Sequence, residues 1–241
     1  MVPAPSSTKK LLVANWKMSV LLKDAIQLLS SVDTQDCARE LVVCPSFVHI
    51  KALRDFFPGL LFGAQDCSAY DIGAYTGDVS ISMLSEVGCS YVIIGHSERR
   101  TLYGESDNTI SSKIALAFNA GIKPILCIGE PMTVKEDGET LEYLFRQLSV
   151  LPEHYMDCIV AYEPIWAIGS GVIPTIHEIG EILDAIRLRY PGLKLMYGGS
   201  VDPVNADLLY KLENIDGLLV GGASTNSVKL QQLISSNFNL F

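Results

Sequence analysis

Short apolar runs alternate with amphipathic stretches along the whole 241-residue chain, and this alternation constrains the fold more than any other feature. Leu11–Asn15, Leu41–Cys44, Leu60–Gln65, Tyr91–Gly95, Pro124–Ile128, Cys158–Ala161, Leu193–Tyr197 and Leu218–Val220 read as strands. Between them, apolar residues recur at helical spacing. Leu22, Ala25, Ile26 and Leu29 form the first such set, and Val48 to Phe57 the second. Ser80 to Val87 and Ser106 to Ala120 follow, with a helix start near Ser97 as well. Leu141, Leu144, Phe145 and Leu148 continue the pattern, then Ile176, Ile179, Leu183 and Ile186 behind a Thr175-x-x-Glu178 capping box. Leu208, Leu209 and Leu212 mark the next helix, and Val228, Leu230, Leu233 and Ile234 the last. Pro58-Gly59, Gly88, Gly121 and Pro191-Gly192 punctuate the units.

Regular strand–helix alternation implies parallel strands with helices outside them. Eight units in about 250 residues is the size of a closed (β/α)₈ barrel. An open doubly wound sheet competes, but it usually carries G-x-G-x-x-G after its first strand. Here that strand is followed by Trp16-Lys17-Met18. No composition break marks a linker. Residues 1–10, with Pro3, Pro5, Ser6 and Ser7, read as a short N-terminal tail, and 11–241 as one barrel domain.

Composition narrows the function classes. Net charge is −9, which argues against a general affinity for nucleic acid or an anionic membrane. An anionic ligand would need a local positive field. No apolar run approaches a membrane span. The six cysteines show no C-x-x-C pair, which suggests reduced thiols in a cytoplasmic protein. No His, Cys and carboxylate group has metal spacing. His49, His154 and His177 receive no role.

In a barrel all parallel strands end on one face, where chemistry sits. The strand ends here supply Asn15, Lys17, Gln65, His96, Glu163, Ser200 and Gly221-Gly222. Glu163 stands at a strand end because Pro164 breaks the extended run. An ordinary surface carboxylate is the alternative, but a carboxylate, an imidazole and an ammonium on one rim point to chemistry. Gly198-Gly199-Ser200 and Gly221-Gly222 follow strands seven and eight, where this architecture cradles phosphate. Tight turns that need glycine for geometry are the other reading. A helix starting near Ser97 would aim its N-terminus at His96 and favour neutral imidazole. Glu98-Arg99-Arg100 reads either as a solvated turn or as an ion-pair cluster supporting the rim.

Five stretches resemble triosephosphate isomerases: Asn15-Trp16-Lys17-Met18, Gly95-His96-Ser97-Glu98-Arg99-Arg100, Ala161 to Gly169, Tyr197-Gly198-Gly199-Ser200-Val201 and Val220 to Ser224. The likeness runs from about Leu11 to the C-terminus, in order. It implies a single-domain TIM barrel that interconverts dihydroxyacetone phosphate and glyceraldehyde 3-phosphate in glycolysis and gluconeogenesis, without cofactor or metal. By resemblance, Glu163 is the base, His96 the electrophile, and Asn15 and Lys17 the groups on substrate oxygen and phosphate. Gly169, Ser200, Gly221 and Gly222 resemble the phosphate-binding set, Glu98 a supporting residue, and Pro164 to about Gly171 a lid. The family is usually a homodimer, and Gly73-Ala74-Tyr75-Thr76-Gly77 matches the loop that reaches into the neighbour's site, with Thr76 at its tip. Two departures stand out. Ser19 replaces the usual Asn, and Val172-Ile173-Pro174 replaces Lys, Thr or Ser, and Ala, which implies altered lid kinetics. A Schiff-base aldolase, an isomerase of amino-acid synthesis and a barrel retained for protein interaction are the rival functions.

Overall fold

The computed structural model describes residues 9–34, 39–168 and 173–235. Eight parallel strands close on themselves in sequence order. They are β1 (Leu11–Asn15), β2 (Glu40–Cys44), β3 (Leu61–Ala64), β4 (Tyr91–Ile94), β5 (Lys123–Ile128), β6 (Ile159–Tyr162), β7 (Lys194–Tyr197) and β8 (Gly217–Val220). The helices α1 (Leu22–Ser30), α2 (Phe47–Phe56) and α3 (Ile81–Glu86) follow the first three strands. After β4 come two, α4 (Ser97–Leu102) and α5 (Asp107–Asn119), and after β5 another two, α6 (Met132–Glu136) and α7 (Thr140–Leu148). The last three are α8 (Ile176–Arg189), α9 (Pro203–Tyr210) and α10 (Ser227–Ile234). The expected barrel is the observed one.

Strand residues divide by parity, because successive side chains point to opposite faces. Leu11, Val13, Tyr91, Ile93, Ile125, Cys127, Ile159, Ala161 and Met196 fill the barrel interior. Their neighbours Leu12, Ala14, Val92, Ile94, Leu126, Val160 and Leu195 pack outward against the helices. Both faces are therefore apolar, which explains why the strands read as continuous runs. Gly63 on β3 and Gly217 on β8 sit where a side chain would not fit. A Cβ at Gly63 would lie 2.7 Å from Cys44 Sγ, and one at Gly217 would lie 2.7 Å from the Leu11 carbonyl oxygen.

Helix boundaries follow local chemistry. Thr175 and Glu178 form the expected capping box at α8, and Asp202 with Asn205 forms another at α9. The inner faces differ slightly from the expected ones. On α9 the buried residues are Pro203, Ala206, Leu209 and Tyr210, whereas Leu208 is exposed and Leu212 follows the helix. On α7 Leu144 and Leu148 are buried and Leu141 faces out. Short α6 has too few residues to show a period, and nothing in the sequence pattern marked it. Lys10, at the edge of the expected tail, donates from Nζ to the carbonyls of Tyr210 and Leu212. The remainder of that tail, residues 1–8, lies outside the described residues.

The described cysteines Cys44, Cys67, Cys89, Cys127 and Cys158 are free and buried; Cys37 lies outside the described residues. No described helix is long and apolar enough to cross a membrane.

The crowding at Gly63 makes a direct test. Gly63→Ala should destabilise the barrel by about 1–3 kcal/mol. Combining it with Cys44→Ala should cost less than the sum of the two single changes, because the second opens the space the first needs. Urea unfolding of the four variants measures this coupling.

Candidate active site

The mouth of the barrel is built strand by strand. Asn15 ends β1 on the same parity as Leu11 and Val13, so it points inward and is buried. Its Oδ1 accepts from the Lys17 backbone N–H at 3.1 Å. Lys17 then adopts φ +50, the one positive φ outside glycine among the described residues. Such a conformation persists only when surrounding bonds over-determine it. Gln65, just after β3, supplies two of them. Its Nε2 donates to the carbonyls of Lys17 at 2.8 Å and Cys44 at 2.9 Å. The buried Trp16 indole donates to the Ser224 carbonyl at 3.1 Å, tying this corner to the loop after β8. Lys17 Nζ lies 2.6 Å from Glu98 Oε1.

His96 follows Gly95, whose φ of +69 turns the chain out of β4. The imidazole caps α4: Nδ1 accepts from the Glu98 N–H at 3.2 Å. An accepting Nδ1 puts the ring hydrogen on Nε2. Nε2 faces Glu163 Oε2 at 3.7 Å. Arg99 leaves the rim and joins an ion-pair cluster. It sits 2.8 Å from Asp66 and also pairs with Glu105, while Lys113 pairs with the same two carboxylates. Arg100 Nε donates to the Gly95 carbonyl at 2.9 Å, holding the turn before the imidazole. The ion-pair reading of this stretch thus describes Arg99 and also Arg100, which lies 2.7 Å from Asp107, whereas Glu98 is half exposed in its pair with Lys17.

Glu163 continues the inward parity of Ile159 and Ala161 one residue past β6. It is 3% exposed. Glycines flank it one residue past each neighbouring strand. A Cβ at Gly129 would lie 1.8 Å from the Glu163 carbonyl oxygen, and one at Gly198 would lie 2.7 Å from its Cγ. Cys127, inward-facing on β5, is the thiol neighbour of its carboxylate. Burial holds the Glu163 carboxyl above the usual range, opposed by His96, the Cys127 thiol and Lys17. Burial likewise pushes the Cys127 thiol far up, and the adjacent carboxylate adds to it.

A cavity of about 440 Å³ joins these groups. Asn15, Lys17, His96, Glu163, Ser200, Gly221 and Gly222 all line it. A Cβ at Gly221 would be 3.7 Å from Lys17 Cε, and at Gly222 nothing lies within 4 Å, so bare backbone at Gly221 lies beside the end of the Lys17 side chain and Gly222 faces open space. Ser200 Oγ donates to the Ala167 carbonyl. An ammonium beside glycine backbone suits a phosphate group. Of the expected lid, Pro164 to about Gly171, residues 164–168 are described and include the helical turn Ile165–Ala167, whereas Gly169, Ser170, Gly171 and the neighbouring Val172 lie outside the described residues. Thr76 sits in an exposed loop and does not line the cavity.

Two buried neighbours escaped the sequence reading. Cys127 shares the inward parity of Ile125, which was the available signal. Glu130 is buried just past β5, and its Oε1 accepts from Trp166 Nε1 at 2.9 Å and from the Tyr162 hydroxyl at 3.2 Å. Nothing in the spacing pointed to it.

A family profile described as triosephosphate isomerase matches residues 10–237. The chain belongs to the triosephosphate isomerase family. A triosephosphate isomerase of Dechloromonas aromatica (strain RCB) is 40% identical, across 90% of this chain and 94% of the relative. One from Nitratidesulfovibrio vulgaris (strain DP4) is also 40% identical, across 94% of this chain and 99% of its own. The crystal structure of triosephosphate isomerase from Bartonella henselae superposes with a TM-score of 0.85 at 33% identity, covering 94% of this chain and 98% of that one. Family membership and the barrel therefore rest on sequence and on shape together.

Burial of the Glu163 charge has a measurable consequence. A carboxyl raised in the folded state binds more protons there than in the unfolded chain. Its contribution to stability is full below the ordinary value of 4.5 and is lost as pH rises through the folded pKa. Glu163→Gln should therefore melt higher than the parent at pH 8. A gain of about 1 kcal/mol corresponds to about 2–4 °C in a domain of this size. The difference should vanish below pH 4.5, and calorimetry across pH checks it.

Proposed function

We propose that the chain interconverts dihydroxyacetone phosphate and glyceraldehyde 3-phosphate, with Glu163 moving a proton between the two carbons. The observation that carries this reading is the facing of Glu163 Oε2 and His96 Nε2 across a cavity that also contains Lys17. A carboxylate with raised basicity is suited to remove a proton next to a carbonyl. An imidazole donating from Nε2 stabilises the enediolate oxygens. Lys17 and Asn15 hold the substrate, and the glycine backbone at Gly221-Gly222, with Ser200, receives the phosphate. Gly169 belongs to this set by resemblance. Glu98 supports the site by holding Lys17 until the phosphate arrives. Every step is a proton transfer or a hydrogen bond, so the residues named need no cofactor. The reaction serves glycolysis and gluconeogenesis, and the place proposed for it is the cytoplasm.

A second copy of the chain completes the reading. Met18, next to Lys17, is 96% exposed, and Ile72 is 77% exposed in the loop that carries Thr76. Tyr70 and Tyr75 stack at 4.3 Å in that loop, giving it a stiff apolar face. Large side chains of this kind beside a site mark an interface. The proposed homodimer forms through the loop around Gly73–Gly77, with Thr76 steadying Asn15 and Lys17 of the neighbour. Sedimentation should show a species of twice the 26.3 kDa chain mass; a single-chain species at micromolar concentration would refute the dimer.

A coupled assay on glyceraldehyde 3-phosphate tests the activity itself. Glu163→Gln should lower kcat by about 10²–10⁴ with unchanged circular dichroism. The acid limb of kcat/KM should fall above pH 4.5, because the base acts only when ionised and its pKa is raised. Full activity in the Glu163→Gln variant would defeat the assignment.

A further inference from the structure

A second cavity, of about 390 Å³, lies on the other side of β6 from the barrel mouth. Tyr162 and Glu163 are adjacent, but parity sends Tyr162 outward into this cavity and Glu163 inward to the mouth. The walls are largely apolar: Leu141 from α7, Ile182 from α8, Pro174 and the rings of Tyr162 and Trp166. The size and lining are those of a small-molecule pocket.

Its polar groups have one dominant sign. Glu130, Glu178 and Glu181 border it, against Lys135 alone. Glu130 is buried at the floor, with Oε1 holding Trp166 and Tyr162 and Oε2 without a hydrogen-bond partner among the described residues. Lys135 shows what the walls select. Its ammonium lies 3.8 Å from the Trp166 ring and 3.4 Å from Glu178 Oε1. An indole face beside carboxylates is a cation-binding arrangement. One ammonium against three carboxylates leaves the cavity short of positive charge and unsuited to an anion.

From these contacts we infer that the cavity is a binding site for a small organic cation with a flat apolar body, such as an amidine, and that occupancy slows turnover without competing with substrate. The body fills the space between Leu141 and Ile182, and the cation takes the carboxylate side. The effect on turnover travels by two short routes. One is β6 itself, through Tyr162 to Glu163. The other is the helical turn Ile165–Ala167: the Ile165 N–H donates to the Glu130 carbonyl at 3.0 Å, and the Ala167 carbonyl accepts from Ser200. This second half rests on Glu163 being the base; the binding half does not.

The two tryptophans report the sites separately. Trp16 stands at the active mouth, tied to Ser224, and Trp166 lines the second cavity. Titration of the intact protein with benzamidine, followed by the indole N–H resonances, should shift Trp166 saturably and leave Trp16 in place. Neutral benzamide should bind at least about tenfold more weakly, and benzoate should not bind. Ile182→Phe, which fills the cavity, should abolish the shift, and Glu178→Gln with Glu181→Gln should weaken it severalfold. A shift of Trp16 in place of Trp166, no shift at all, or equal binding of benzoate overturns the site. In the isomerase assay, benzamidine should lower kcat with KM unchanged in the parent and do nothing in Ile182→Phe. Binding at Trp166 without loss of turnover overturns the effector half alone. Absence of isomerase activity in the protein without benzamidine would strike the functional reading and leave the binding result standing.

Discussion

Hydrogen bonding of β1 to both β2 and β8 is the interaction on which the rest depends. It converts a row of strand ends into a ring. Without closure, Asn15 and Lys17 would lie at one edge of a sheet and Gly221-Gly222 at the other. With closure, Leu11 pairs with Gly217 and Ala14 with Val220, and the two ends of the chain meet over one cavity. Parallel direction puts every strand terminus on that side, and the alternation of side chains selects which residues enter. Tilt and register do the positioning that a long chain of individual contacts would otherwise have to do.

The site runs against the interests of stability in two places. Lys17 holds a left-handed backbone without being glycine, and Glu163 holds a carboxylate almost wholly withdrawn from water. Both are sustained from outside. Gln65 and Asn15 over-determine the first. His96, the Cys127 thiol and Lys17 partly offset the second. The burial that raises the proton affinity of this carboxylate is the same burial that costs stability.

Much of this was legible in the residues alone, for a reason that particular positions make clear. Strand runs bounded by Pro45, Pro58-Gly59 and Pro164 are local signals, and locality is what a sequence displays. Their places at strand ends brought Asn15 and Glu163 to the rim once the strands were read, and the family resemblance supplied their proposed roles. What escaped depends on contacts between segments far apart. Glu130 has no local signature, and its partners Tyr162 and Trp166 come from the next strand and the turn after it. Leu208 and Leu209 look alike in sequence, and only the angle at which α9 meets the barrel buries the second and exposes the first. The ion-pair cluster of Asp66, Arg99, Glu105 and Lys113 gathers three separate stretches, so a charge run at Glu98-Arg99-Arg100 could not distinguish it from a solvated turn.

The glycines at 129 and 198, one residue past the adjacent strands, leave Glu163 hemmed in by bare main chain, the first against its carbonyl and the second against its side chain. A lineage that drifts at these two sites has nowhere to go, because the smallest alternative already collides. Evolutionary tuning of this carboxylate is thereby shifted away from its lateral neighbours. It falls instead to the residues above and below, Cys127 in the floor and the imidazole opposite, where substitutions can alter polarity without dislodging the group they act upon.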